Sequence, residues 1–225
     1  MITTVYLIRH GETDWNLTGR WQGHADVPLN AVGLRQARLL GQRLAQEQVR
    51  FDAIYSSDLT RAYQTAWELG AAVRVAVQLV PNLREIDLGV WSGHTSAELQ
   101  ARFPEEFALV AAGQDIPRGG GETIRAMRHR VVEAVEALVA QHRGETLGIV
   151  THGGCIRALL SHAVRLDGEE FRHFPHIGNT SISVVRVGHA GWETVLVNDM
   201  AHLEVTHDPE LVSAPPDDAE QPQAL

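Results

Sequence analysis

Four short stretches combine permanent cations, imidazoles and a carboxylate with turn-forming residues. They are Arg9-His10-Gly11, Arg61 in Ser57-Asp58-Leu59-Thr60-Arg61, Glu85 in Leu83-Arg84-Glu85, and Thr151-His152-Gly153-Gly154. Two guanidiniums match the bidentate geometry of a phosphate, and a glycine-rich helix start after His152 adds backbone N–H groups at the positive end of a helix dipole. A histidine flanked by two permanent cations resists protonation, because like charges disfavour the imidazolium; neutral near pH 7, it is a competent nucleophile. In-line attack on a phosphoryl group asks mainly for positioning and charge stabilisation, which the arginines and the second histidine would supply. The leaving alkoxide needs a proton, and Glu85 can give it; a phosphate dianion beside that carboxyl favours its protonated form.

These groups act together only if the fold brings them to one place. Val5-Tyr6-Leu7-Ile8 is an apolar run without polar alternation, as in a strand buried on both faces, and it feeds directly into Arg9-His10. Gly11 then lets the backbone turn sharply and approach a ligand. Residues 10–30 form a long irregular connection, and loops of that length in a compact domain are usually functional. Leu34, Ala37, Leu40 and Leu44 predict a helix over 31–48 capped by Asn30. A second strand covers 51–57, and Ser57 or Asp58 caps a helix carrying Arg61 in its first turn. A third strand over 73–80 leads into an irregular stretch, 81–93, that carries Glu85. A short helix over 95–103 ends at Pro104, and 111–121 is a flexible, glycine-rich loop. The helix over 122–141 has Val131, Val135, Leu138 and Val139 on one face, and a buried strand follows over 145–151. Strands at 181–187 and 192–197 flank Gly188-His189-Ala190-Gly191 as a hairpin, which makes part of the sheet antiparallel. The alternation predicts an α/β chain with helices on both faces of a mainly parallel sheet, whose carboxyl strand ends form the ligand crevice. Residues 1–205 read as one domain and 206–225 as a disordered, acidic and proline-rich tail.

The Arg9-His10-Gly11-Glu12-Thr13 stretch with Asn16, followed by Ser57 to Ala66, Leu83-Arg84-Glu85 through Gly93, and Thr151-His152-Gly153-Gly154, resembles the signature of the histidine phosphatase (phosphoglycerate mutase-like) superfamily in the family's own order. The resemblance covers roughly residues 2–200. It implies a three-layer α/β/α sandwich, phosphorylation of His10, phosphoryl oxygens held by Arg9, Arg61, His152 and Asn16, and Glu85 as the acid–base residue. It also implies no metal and no cofactor. Gln22-Gly23 resembles the stretch that closes over the phosphate, and Gly153 joins the phosphate-binding set through the helix start. Asp87, two residues beyond Glu85, is the competing acid.

Within the family the chain is more similar to phosphatases than to cofactor-dependent mutases. Mutases carry extra cations, including an adjacent arginine pair, between the acid and the long helix; here 86–121 holds only Arg102 and Arg118. A phosphatase acting on a small-molecule phosphate ester is the expectation, with a mutase or a non-catalytic phosphate-binding module as alternatives. The net charge of −9 argues against a nucleic-acid partner. A single cysteine, Cys155, excludes an internal disulfide and reads as a buried structural thiol in a reducing compartment. No apolar run approaches membrane-spanning length, so a soluble, cytoplasmic protein is expected. His173-Phe174-Pro175-His176 is a poor metal pair because the proline spoils helical presentation, and Arg125, Arg128, His129 and Arg130 read as a solvated basic face. Trp15, Trp21 and Trp91 read as packing residues, although Trp21 and Trp91 flank site residues and would suit a partly apolar leaving group.

Overall fold

The computed structural model describes residues 1–166, 174 and 176–204. Its strands are β1 (Thr3–Arg9), β2 (Ala53–Ser56), β3 (Val77–Leu79), β4 (Thr146–Thr151), β5 (Ile182–Gly188) and β6 (Gly191–Asp199). They form one sheet in the order β3-β2-β4-β1-β5-β6. β3, β2, β4 and β1 are mutually parallel, and the hairpin of β5 and β6 adds an antiparallel edge beyond β1.

The helices are α1 (Asp14–Leu17), α2 (Ala31–Gln46), α3 (Thr60–Val73), α4 (Ser96–Arg102), α5 (Pro104–Ala111), α6 (Ile124–Gln141), α7 (Gly153–Ala163) and α8 (Ala201–Glu204). Successive side chains of a strand point to opposite faces, so the apolar run of β1 serves two cores. Val5 and Leu7 pack with Val131, Val135, Ile156 and Leu159 of α6 and α7. Ile8 packs with Leu40, Leu44, Ala62, Ala66 and Leu69 of α2 and α3. Full burial of each large aliphatic side chain contributes about 1.5–3 kcal/mol, which makes the sheet the rigid centre of three layers.

Asn30 caps α2 as expected, its side chain accepting the Gly33 N–H at 2.8 Å. α3 departs from expectation. Leu59 occupies its cap position without a side-chain bond, Asp58 is taken by Arg84, and the Thr60 N–H is met at 2.7 Å by Asp26 of the 10–30 connection. α3 also runs to Val73 and closes on Arg74 at φ 62°, leaving only Val77–Leu79 for the third strand. Pro104 follows the end of α4 but also begins α5, where a fixed φ and a missing N–H suit the first helical position. The stretch 111–121 is not a free loop. Its end forms a 3₁₀ turn, Arg118–Gly120, and the Glu122 N–H donates to the Asp87 carbonyl at 2.8 Å, which ties it to the 81–93 stretch. The tail predicted for 206–225 and His173 of the His173/His176 pair lie outside the described residues. Among the described residues, no helix is long and apolar enough to cross a membrane.

Candidate active site

Strand register builds the site. Arg9 of β1 faces Thr151 of β4, and Ser56 of β2 faces Val150. His10 and His152 therefore leave adjacent strands at the same level, with Ser57, at the end of the next strand, one residue below. The two imidazoles meet edge to face with centroids 5.2 Å apart, and at 3% and 1% exposure neither is a surface histidine. Gly11 turns the chain away from His10. A Cβ there would lie 2.6 Å from the Gly33 carbonyl oxygen, so only glycine lets this turn press against the first turn of α2.

The protonation of His10 follows from its surroundings. Nδ1 lies 2.7 Å from the Gly11 carbonyl, which can only accept; Nδ1 therefore carries the proton and Nε2 keeps its lone pair. Burial first, then Arg61 and Arg9, hold its pKa well below the ordinary histidine value. His152 is shifted the same way, by burial and then by Arg61, His10 and Arg9. Its Nε2 sits 2.9 Å from Ser57 Oγ, which also accepts the Leu59 N–H; the tautomer suited to holding an anion is the one in which that hydroxyl donates to Nε2. Nδ1 of His152 then bears the remaining proton, buried and with no hydrogen-bond partner among the described residues.

The cations are held by backbone oxygens. Arg9 Nη1 donates to the Ile177 carbonyl and lies 3.4 Å from His176 Nε2. Arg61, in the first turn of α3, donates to the Gly23 and Ala25 carbonyls at 2.7 Å each. Gly23 thus meets Arg61 through its own oxygen. Gln22 is buried beside it, its Oε1 without a hydrogen-bond partner among the described residues. Asn16 is buried in the capping box of α1: its Oδ1 accepts from the Thr13 N–H at 3.0 Å and from Asn179 Nδ2 at 3.4 Å. Gly153 opens α7 beside Arg9, whose Nε lies 3.5 Å from where a Cβ on Gly153 would be.

Glu85 arrives from the 81–93 stretch. Its carboxylate accepts the Ile86 N–H and the Gly154 N–H, both at 2.9 Å, so it rests on the helix start that follows His152. Asp87 closes its own turn on the Gly89 N–H instead. The structure therefore gathers Arg9, His10, Arg61, Glu85, His152 and Gly153 at the strand ends.

Several site residues escaped the sequence reading. Ser57 orients His152, Thr65 Oγ1 accepts the Gly11 N–H at 3.0 Å, and Asn179 donates to the His10 carbonyl at 3.1 Å. Arg130 is not on a solvated face; its side chain is 19% exposed and grips the Glu85 stretch. Trp21 and Trp91 stack edge to face at 5.9 Å and are fully buried, so neither offers a surface to a leaving group. Cys155 is buried, with Sγ 3.1 Å from the Arg84 carbonyl, and burial pushes its thiol pKa up.

The model of the histidine phosphatase superfamily (branch 1) matches residues 5–200. Among curated proteins the chain is 36% identical over 207 residues to phosphoglycerate mutase-like protein 4 of Arabidopsis thaliana, covering 90% of this chain and 87% of the relative. It is 34% identical over 206 residues to the metal-independent phosphoserine phosphatase of the same plant, covering 90% and 84%. Among solved structures, Bacillus stearothermophilus YhfR superposes with a TM-score of 0.82 at 33% identity, over 89% of this chain and 98% of that one.

Proposed function

Because the chain belongs to the histidine phosphatase superfamily, branch 1, we propose that it is a phosphomonoesterase working through a covalent phosphohistidine on His10. The observation that carries this reading is the state of His10: neutral beside two arginines, with Nδ1–H fixed on the Gly11 carbonyl and Nε2 free to attack. Nε2 forms a bond to phosphorus as the ester P–O bond breaks, and the departing alcohol oxygen takes its proton from Glu85. Water then attacks the phosphohistidine, gives a proton back to the Glu85 carboxylate, and the P–N bond breaks to release inorganic phosphate and neutral His10.

Charge on the transferred phosphoryl group is met by Arg9, Arg61, the Nδ1–H of His152 and the α7 backbone start at Gly153. Asn16 and Gln22 supply side-chain amides at the rim of this set. Gly23 serves by holding Arg61. The chemistry asks for no metal and no cofactor, and residues 1–205 would carry it as one domain. A cytoplasmic setting suits the single, buried Cys155.

The substrate is a small phosphate ester, and hydrolysis is favoured over mutase chemistry by the 86–121 interval. Arg118 is buried there, and Arg102 is engaged with His94 at 2.6 Å, so neither reaches out to a second acidic group. The test is a panel of phosphomonoesters that includes 3-phosphoglycerate, assayed with and without 2,3-bisphosphoglycerate. Free phosphate should appear at a rate independent of the bisphosphate. Bisphosphate-dependent interconversion of phosphoglycerates without phosphate release would overturn the reading.

A further inference from the structure

The guanidinium of Arg130, on α6, has five N–H bonds to satisfy, and the 81–93 stretch and Glu122 take all of them. Nη1 donates to the Asn82 and Arg84 carbonyls, each at 2.9 Å, and Nη2 to the Glu85 carbonyl at 3.1 Å. Nε and Nη2 together form a bidentate pair with Glu122, at 2.9 and 2.7 Å. Glu122 in turn accepts the Asp87 N–H at 3.0 Å. The Arg130–Glu122 pair therefore closes around residues 82–87, with Glu85 between the gripped ends.

Glu85 needs such a frame. It lies outside any strand or helix, where no sheet ladder or helical bond fixes its backbone, and its carbonyl has one other bond, from His24 Nε2 at 2.8 Å. Its carboxylate accepts two N–H groups and, more distantly at 3.9 Å, the Cys155 thiol. A planar fork that reaches the carbonyls of residues 82, 84 and 85 together is a task for arginine; a lysine ammonium is a point donor and cannot hold the same set.

We propose that Arg130 is a positioning residue for the acid: through the backbone of residues 82–85 it sets where the Glu85 carboxyl stands and so governs proton delivery to the leaving group. The proposal rests on Glu85 being that acid, and the two are separable by experiment. The quantity to measure is kcat/KM, because it reports only the steps through release of the alcohol, where the acid acts. Arg130→Lys, Glu85→Gln and the double variant are compared on 4-nitrophenyl phosphate, whose leaving group needs no proton, and on the best alkyl ester of the panel above.

Arg130→Lys should lower kcat/KM on the alkyl ester by about 10- to 100-fold and on the nitrophenyl ester by less than about threefold. In the Glu85→Gln background it should add no further loss on the alkyl ester, since its effect runs through that carboxyl. Equal losses on the two esters, additive losses in the double variant, or no loss at all would overturn the proposal. If Glu85→Gln shows no difference between the esters, the acid assignment itself fails. Should Arg130→Lys not fold, as judged by thermal melting, Glu122→Gln must produce the same ester split; its absence there counts equally against the proposal.

Discussion

Gly154 offers a sharp perturbation of the proposed acid. Its N–H donates to Glu85 Oε2 at 2.9 Å, and a Cβ added there would lie 2.4 Å from Oε1 and 3.1 Å from Cδ. Ordinary contact begins near 3.4 Å, so in Gly154→Ala the carboxylate must withdraw by about 1 Å. The atom in the way is the far end of a flexible side chain, so the fold can accommodate the methyl group. Alanine also favours the helix over glycine by up to about 1 kcal/mol, roughly offsetting a lost hydrogen bond of about 0.5–1.5 kcal/mol. The melting temperature should therefore move by no more than about 4 °C. Catalysis should not be spared, because a misplacement of this size costs on the order of 100-fold, or about 2.7 kcal/mol of transition-state stabilisation. The assay is kcat/KM for alkyl and nitrophenyl esters, with phosphate release and nitrophenolate absorbance as readouts. Expected is a large loss confined to the alkyl ester in a protein as stable as the parent. An alkyl-ester value within about threefold of the parent would refute the placement of Glu85 on the α7 helix start.

His10→Ala should abolish both turnover and labelling by a radioactive phosphate ester; retained activity would sink the covalent route. Chelating agents should leave turnover unchanged, and a loss restored by added metal would reveal a metal requirement. Acid should destabilise the fold through its buried histidines. His10, His152 and His202 have pKa values lowered by burial, with that of His202 near 4 and pushed down further by Arg43. Because the unfolded chain takes up these protons first, the stabilisation is fully present above about pH 6.5 and drains away as pH falls towards the native values. For His202 alone this amounts to about 2 kcal/mol by pH 5. Urea midpoints should fall between pH 7.5 and 5, and His202→Asn should flatten that fall; identical slopes in the two proteins would count against a neutral, buried His202.

The groups nearest the chemistry were legible because each stands at a point where local pattern changes. Arg9-His10 and Thr151-His152 end apolar runs, and Arg61 follows a strand within a few residues, so strand alternation alone brings them together. Glu85 was readable from its neighbours in the family pattern, although nothing local separates it from Asp87; that distinction needs the Gly154 N–H, which comes from another element. The misses share this cause. Arg130 looks like one of several surface cations on a helix until the 81–93 stretch folds against it. Local sequence offers Ser57 or Asp58 as the α3 cap, whereas the Thr60 N–H is met by Asp26, 34 residues away. Ser57 and Asn179 carry no local signal for their partners in the site. Trp21 and Trp91 sit beside site residues in sequence yet stack on each other in the core, because adjacency along the chain says nothing about which side a ring faces.

The strand order has a consequence for how the protein is made. β1, which ends at Arg9 and leads into His10, finds both of its partners, β4 and β5, beyond residue 145. Ties across this seam are long: the Thr3 hydroxyl bonds the His142 carbonyl, 139 residues away. During synthesis β1 must wait, with its hydrogen-bonding edges exposed, until β4 has emerged to slot between it and β2. Such unpaired edges invite pairing with other chains, and pairings of this separation slow folding relative to local ones. Assembly therefore ends in late events, the insertion of β4 between β1 and β2 and the docking of the β5–β6 hairpin on the other edge of β1. The insertion of β4 joins β1 to β2 and, by setting His152 beside His10, brings the two imidazoles together at the same moment, so no chain that stops short of β4 holds the paired histidines.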